Sequence, residues 1–446
     1  MPQLVVQDPT RPPTGRVLTF TDGFRWLDLA SGSFGDLVPM SVPFERLPDG
    51  TFLCACIDAP WSPGDQVTTL RIERFEADGR RLGESRSISF SGVREGAPSS
   101  NVVSVGRTFS DDGETLFAGA AARMAGGSWI FELVALPVES GPAERLTLGE
   151  VGGGPEIRHV SPPSVSLSHD GRYAVVAATI QRGSFRNPEP LERAHWLVRL
   201  ERGTPKVAEP YELPPPAGGE DRCVAEGFVD NRVYADVCSA FDRGSGALVP
   251  AVRRFGIDGR LLSDVAFSPR PMISANVLLD RATRSIYGWD PVGHVTYRLD
   301  GRDGSLVSGG VPAGVLAAAG PVNPPDRHFL LNSTQSFVLS PDRSRIYAIG
   351  AAGGAIDRAP GSTGIWAFDA ESLDWIDRWE PATNYAALGI SDDGGRLFAA
   401  GLSGVTADGL PSAAEASVTV HDADDGEVVV VAGRLGWNFT IRFPTT

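Results

Sequence analysis

The residues best suited to chemistry in this chain are arginines and histidines that occur side by side. Arg158-His159 and Arg327-His328 each stand just ahead of a short β-rich run, and Arg222 and Arg270 hold comparable places. Guanidinium groups take carboxylate or phosphate through paired, charge-assisted hydrogen bonds, so several of them converging would suit an anionic ligand. Glu156, Asp221 and Asp326 lie beside them. The same arginines could therefore serve as braces, paired with carboxylates of neighbouring elements. Trp61, close to Pro60 and Pro63, offers a face for stacking on a sugar or aromatic ligand, or for packing on its own turn.

The other histidines promise less. His195, His294 and His421 fall within β-rich runs and read as structural, and His169 sits in a turn. Six scattered histidines without close spacing make no metal cluster. The run Asp422-Ala423-Asp424-Asp425-Gly426 has the look of a calcium loop. It lacks a third alternating oxygen ligand and the closing glutamate, so it reads as a turn. No Gly-x-Ser-x-Gly elbow, His-Glu-x-x-His, Cys-x-x-Cys or phosphate-binding glycine loop occurs. No cofactor is expected; a divalent metal enters only if the chain is an enzyme.

Cys223 and Cys238 are symmetric about Asp230-Asn231, which places them opposite each other if that pair is a hairpin turn. A cross-strand disulfide between them would indicate an oxidising compartment. Cys54 and Cys56 share one face of a strand and read as small core residues. The start, Met1 to Pro9, shows neither a charged segment nor an apolar core of a signal peptide. Localisation thus stays open. A Cys223–Cys238 disulfide behind an added initiator Met would mean an extracytoplasmic protein, and otherwise a cytoplasmic one is expected.

Composition narrows the partners. The net charge of −15 argues against nucleic acid, which calls for a basic stripe. No window approaches the roughly 18 uninterrupted apolar residues of a membrane helix. Lys206 is the only lysine among 40 basic residues, a bias more readily traced to codon usage than to anion capture. The 52 glycines and 35 prolines suit a chain of many short strands joined by many turns.

Those strands announce themselves by a repeat. Seven times an apolar stretch enters an Asp-led turn and leaves in a β-rich run, as in Ser110-Asp111-Asp112-Gly113, Ser168-His169-Asp170-Gly171, Ser340-Pro341-Asp342-Arg343 and Ser391-Asp392-Asp393-Gly394. The others are led by Asp49, Asp230 and Asp280. A return every fifty to sixty residues or so points to a propeller, solenoid or array. A second series of turns, from Asp28–Gly32 to Asp422–Gly426, counts eight. Each unit then reads as four strands; the fifth is expected at Ile273–Leu279, Ser285–Trp289, His294–Leu299 and Ser305–Ser308. The N-terminal unit shows three, at Arg16–Thr21, Phe24–Leu29 and Asp36–Met40. A lone strand at Trp437–Phe443 would complete it and close a ring.

The expected fold is therefore all-β, a β-propeller of eight four-stranded blades closed by the C-terminal strand. Seven blades with an added flap is the alternative. Residues 1–15 would be a tail and 16–446 a single domain. The Ser-x-Asp turns followed by Leu/Ile-Phe/Tyr-Ala, with Leu27-Asp28-Leu29-Ala30-Ser31-Gly32, resemble the bacterial YVTN and WD-repeat-like β-propellers. That resemblance implies the fold and no catalytic residues. Long connections, among them 181–193, 214–222, 320–336, 350–364 and 401–413, would gather at one face. The leading functional reading is a binding or scaffold protein that presents this face to a protein, a glycan or a small anionic ligand. The alternative is an enzyme, a lactonase-like hydrolase or a lyase, with Arg and His at the axis.

Overall fold

The computed structural model describes residues 5–6, 16–20, 24–28, 34–38, 44–47, 49–58, 66–76, 80–93, 103–152, 157–184, 187–188, 192–210, 222–242, 247–267, 276–290, 295–310, 337–349, 364–380, 384–391, 393–402 and 416–435. All regular structure among them is β-strand. The chain divides into two compact units, one of Met1–Pro39, Gly244–Ala251 and Val265–Thr446, the other of Met40–Arg243 and Val252–Asp264.

In chain order the strands gather into antiparallel sheets of adjacent neighbours. The first holds β1 (Val5–Val6), β2 (Arg16–Phe20), β3 (Phe24–Asp28) and β4 (Phe34–Val38). The second holds β5 (Phe44–Arg46), β6 (Phe52–Asp58), β7 (Gln66–Phe75) and β8 (Arg81–Gly92). The third holds β9 (Val103–Phe109), β10 (Thr115–Arg123), β11 (Trp129–Pro137) and β12 (Glu144–Val151). The fourth holds β13 (Ile157–Val160), β14 (Ser164–Leu167), β15 (Tyr173–Ser184), β16 (Asn187–Pro188), β17 (Glu192–Glu201) and β18 (Thr204–Pro210).

The fifth sheet is β19 (Arg222–Asp230), β20 (Val233–Asp242), β21 (Ala247–Gly256) and β22 (Leu261–Ala266). The sixth is β23 (Asn276–Asp280), β24 (Ser285–Asp290), β25 (Val295–Asp300) and β26 (Leu306–Gly310). The seventh is β27 (Phe337–Leu339), β28 (Arg345–Ile349), β29 (Ile365–Asp369) and β30 (Trp375–Trp379). The eighth is β31 (Asn384–Ile390), β32 (Arg396–Leu402), β33 (Ala416–Asp422) and β34 (Val428–Leu435).

These sheets pack through both faces, which explains why their second strands read as unbroken apolar runs. Along β10 the side chains alternate in direction. Phe117 and Ala121 enter a core with Trp129, Phe131, Val176 and Trp196 of the third and fourth sheets. Leu116, Ala118 and Ala120 enter a separate core with Leu53, Leu70 and Ile72 of the second. In the other unit, Trp289, Trp366 and Phe368 fill the seam between the sixth and seventh sheets. Tyr347, Trp379, Tyr385 and Leu397 fill that between the seventh and eighth. Each aromatic buried in such a seam contributes on the order of 2–3 kcal/mol by removal of its surface from water.

Two glycines let the third sheet accept the fourth. Gly106 on β9 and Gly119 on β10 are register partners. A Cβ on Gly106 would lie 1.9 Å from the Pro163 carbonyl oxygen, and one on Gly119 would lie 3.0 Å from the Pro163 Cβ. Pro163 belongs to Ser161-Pro162-Pro163, which separates β13 from β14 although both pair with β15. Proline cannot donate to a strand ladder, so the first strand of this sheet is split in two.

The sequence assigns the position beside β2 to residues 437–443, which lie outside the described residues. Val5–Val6, read there as tail, holds that position as β1, with Val5 opposite Leu18. Arg158 and His159, expected in a loop, lie within β13, because its ladder resumes ahead of the proline pair. The expected connection 181–193 is shorter than anticipated, since β15 runs on to Ser184 and β17 begins at Glu192.

Candidate functional site

Each sheet has two ends, and they differ in chemistry. Four of the tight turns joining first to second strands share one device. The Ser110, Ser168, Ser340 and Ser391 hydroxyls donate to Asp112, Asp170, Asp342 and Asp393 at 2.5, 2.8, 2.6 and 2.5 Å. Each serine oxygen also accepts the backbone N–H five residues on, from Thr115, Tyr173, Arg345 and Arg396 at 2.9–3.0 Å. Each aspartate takes the N–H two residues beyond itself, closing an Asx turn. The intervening residue is left-handed, with φ of 70° at Gly113, 64° at Gly171, 59° at Arg343 and 75° at Gly394. The Ser340 hydroxyl, then the Ser344 amide and hydroxyl, hold the Asp342 carboxyl below its usual range.

Neighbouring turns are tied to one another. His169 Nδ1 lies 3.0 Å from Asp111 Oδ2, and the Asp170 amide donates to Asn231 Oδ1 at 3.0 Å. Arg343 reaches Asp280 at 3.3 Å. This end of the sheets is occupied with its own structure.

The opposite end of the fourth and fifth sheets carries three of the residues that the sequence singled out. Arg158, half-buried, and His159, exposed, lie on β13, where Ile157 faces Arg182 and His159 faces Gln181 across the ladder. Arg222 opens β19, opposite Ser239. Trp61, Arg270, Arg327 and His328 lie outside the described residues. The sequence reading missed Arg182, two residues before the end of β15, and Arg123, the last residue of β10, which are only 7% and 5% exposed. Arg182 Nε is 3.0 Å from both carboxylate oxygens of Glu192. Their position at the last turn-free residue of an apolar run was the signal available for them.

Two buried histidines complete the inventory. His421 donates from Nδ1 to Gly426 O at 3.1 Å, and its Nε2 lies 3.0 Å from Thr419 Oγ1. Its ring stacks on Trp379 at 6.3 Å. Burial lowers the pKa of this imidazole, and the Gly426 carbonyl that accepts from Nδ1–H opposes the shift. Gly426 is required there: its φ is 76°, and a Cβ would lie 2.3 Å from the Trp379 ring. His195 is different. On β17 and 2% exposed, it points Nε2 at Asp236 Oδ2 of β20, 3.5 Å away, with Arg253 of β21 also buried. Burial, then the charges of Arg193 and Arg253, hold this imidazole well below its ordinary pKa.

Among the described residues, no three His, Cys, Asp or Glu side chains converge as metal ligands, and no helix is long and apolar enough to cross a membrane. Cys54 and Cys56 are buried. Cys223 and Cys238 are register partners across the β19–β20 hairpin.

No protein-family model matches the chain, and no curated protein matches it. Solved structures resemble it at low identity. Chaetomium thermophilum Sqt1, bound to the N-terminus of ribosomal protein L10, is 13% identical over 90% of this chain and 91% of that one, with a TM-score of 0.40. The β-propeller domain of Myceliophteria thermophila Cps50 (Swd1) is 12% identical over 76% of this chain and 88% of that one, with a TM-score of 0.39. A puromycin-hydrolyzing peptidase of Mycobacterium tuberculosis is 14% identical over 98% of this chain and 54% of that one, with a TM-score of 0.42.

Proposed function

We propose that the chain is an eight-bladed β-propeller acting as a binding scaffold for a protein partner, which it engages at the loop-bearing ends of its sheets. One observation carries the reading. In the seven sheets from β5 onward, the connections from first to second strand and from third to fourth are short. The long segments, 311–336, 350–363 and 403–415, all leave from the other end. Scaffolds keep recognition on loops held by rigid elements, and the turn end is already committed to side chains that close the turns. Arg158, His159, Arg222, Arg270, Arg327, His328 and Trp61 would belong to that contact. Arginine favours bidentate carboxylate recognition, so an acidic segment of the partner is the expected ligand.

The test places a photocrosslinking residue at His159 and, separately, at Asp111. Capture of the same partner from His159 but not from Asp111 is expected, with loss when Arg158 becomes Glu. Capture from the turn end alone would sink the proposal.

A further inference from the structure

The seam between the fourth and fifth sheets changes character along its length. Near the turns it is apolar, built from Val175, Leu197, Phe228, Tyr234 and Phe255. Two residues further along the same strands, Leu197 gives way to His195 and Tyr234 to Asp236, with Arg253 the corresponding change from Phe255. Alternation keeps each of these on the face of its predecessor. All three are buried, at 2%, 0% and 2% exposure. The seam between the third and fourth sheets carries Trp129, Ile180 and Trp196 along the corresponding length, and its buried arginines, Arg123 and Arg182, come only beyond them. Burying an ionised group costs several kcal/mol before its partners offset it. A seam that could have been filled with leucine holds an ionisable group instead.

We infer that this seam is an acid-sensitive joint: protonation of His195 adds a third cation beside Arg193 and Arg253 and loosens the fifth sheet from the fourth at their loop-bearing end. The charged groups around His195 can be placed element by element. Its own strand contributes Arg193, two residues away on the same face. Strand β20 contributes Asp236 at 3.5 Å. Strand β21 contributes Arg253, whose Nε lies 3.7 Å from Asp264 of β22, itself 45% exposed. On β19 the register partner of Asp236 is Glu226. Behind His195, β15 presents Ala177 as register partner, flanked by Val176 and Ala178. Arg254, adjacent to Arg253, bonds Ser263 instead. Burial and the two guanidinium groups disfavour imidazolium here, against the attraction of Asp236.

The sign follows from proton linkage. A histidine depressed in the folded state binds fewer protons there than in the unfolded chain below about pH 6.5. The stability it contributes is complete above that pH and is lost progressively as pH falls toward the folded value. At the loop end, the loss falls on one seam.

Hydrogen exchange followed by mass spectrometry tests this on the whole chain at pH 7 and pH 5, corrected for intrinsic exchange. Peptides covering 192–201 and 233–242 should lose protection at pH 5 relative to pH 7. Peptides covering 116–123 and 129–137, from the seam between the third and fourth sheets, should not. In His195→Gln the difference between seams should vanish. Equal response of both seams, or an unchanged difference in His195→Gln, would overturn the inference. If His195→Gln does not fold, the histidine Cε1–H titration in the native protein decides instead. Titration of His195 at its ordinary pKa would refute the joint, and a value well below that would support it.

Discussion

The substitution Gly106→Ala should destabilise the unit that contains the third and fourth sheets. The added methyl would sit 1.9 Å from the Pro163 carbonyl oxygen and 2.8 Å from its carbonyl carbon. Neither atom can rotate away, because both are backbone, so the seam must open by more than an ångström. Overpacking of a filled interior costs about 1–3 kcal/mol, and an immovable obstacle puts this site near about 3. Gly-to-Ala exchange offsets about 0.4–1 kcal/mol of that by restricting the unfolded chain. A net loss of about 2–3 kcal/mol corresponds to roughly 4–12 °C in Tm for a unit of this size. Gly119→Ala supplies the control. Its methyl meets side-chain atoms, Pro163 Cβ at 3.0 Å, Val165 Cγ2 at 3.1 Å and Val176 Cγ1 at 3.2 Å, which can yield by tenths. A cost of about 1 kcal/mol follows there. Urea melts read by tryptophan fluorescence, with Trp129 buried in the same core, give both values. Gly106→Ala as stable as the parent, or less costly than Gly119→Ala, would refute the packing argument.

Two further outcomes rest on the turns and the cysteines. Ser340→Ala removes a hydroxyl that donates to a carboxylate and accepts the Arg345 amide, a loss of about 2 kcal/mol in a denaturant melt, and Ser391→Ala should match it because the geometry is the same. A cost at one turn and none at the other would show that the device is not shared. Cys223 and Cys238 being register partners, protein from an oxidising compartment should block two thiols in denaturant before reduction and four after, read by intact mass. Four thiols blocked at the outset would exclude the bridge.

What the sequence disclosed was whatever is decided locally. A Ser-x-Asp turn is complete within six residues, so its chemistry is visible in a linear string. The fifth expected unit, for the same reason, is close to the observed β23 to β26, with Ser285 opening β24 as anticipated. What stayed hidden depends on which faces meet. His195, Asp236 and Arg253 are far apart in the chain, and only the pairing of two sheets brings them to one seam. Arg182 and Arg123 likewise look like strand ends until a neighbouring sheet buries them. The split of β13 from β14 was written in Pro162-Pro163, yet its purpose required Gly106 and Gly119 from the sheet before.

The Ser-x-Asp turn has a consequence for how such a chain can grow. Because hydroxyl, carboxylate and amides all come from the turn itself, a duplicated unit arrives with its own hairpin already secured. Selection is then left free to rewrite the surfaces between units. Repetition and individuality are thereby kept on different residues, the one copied along the chain and the other settled seam by seam.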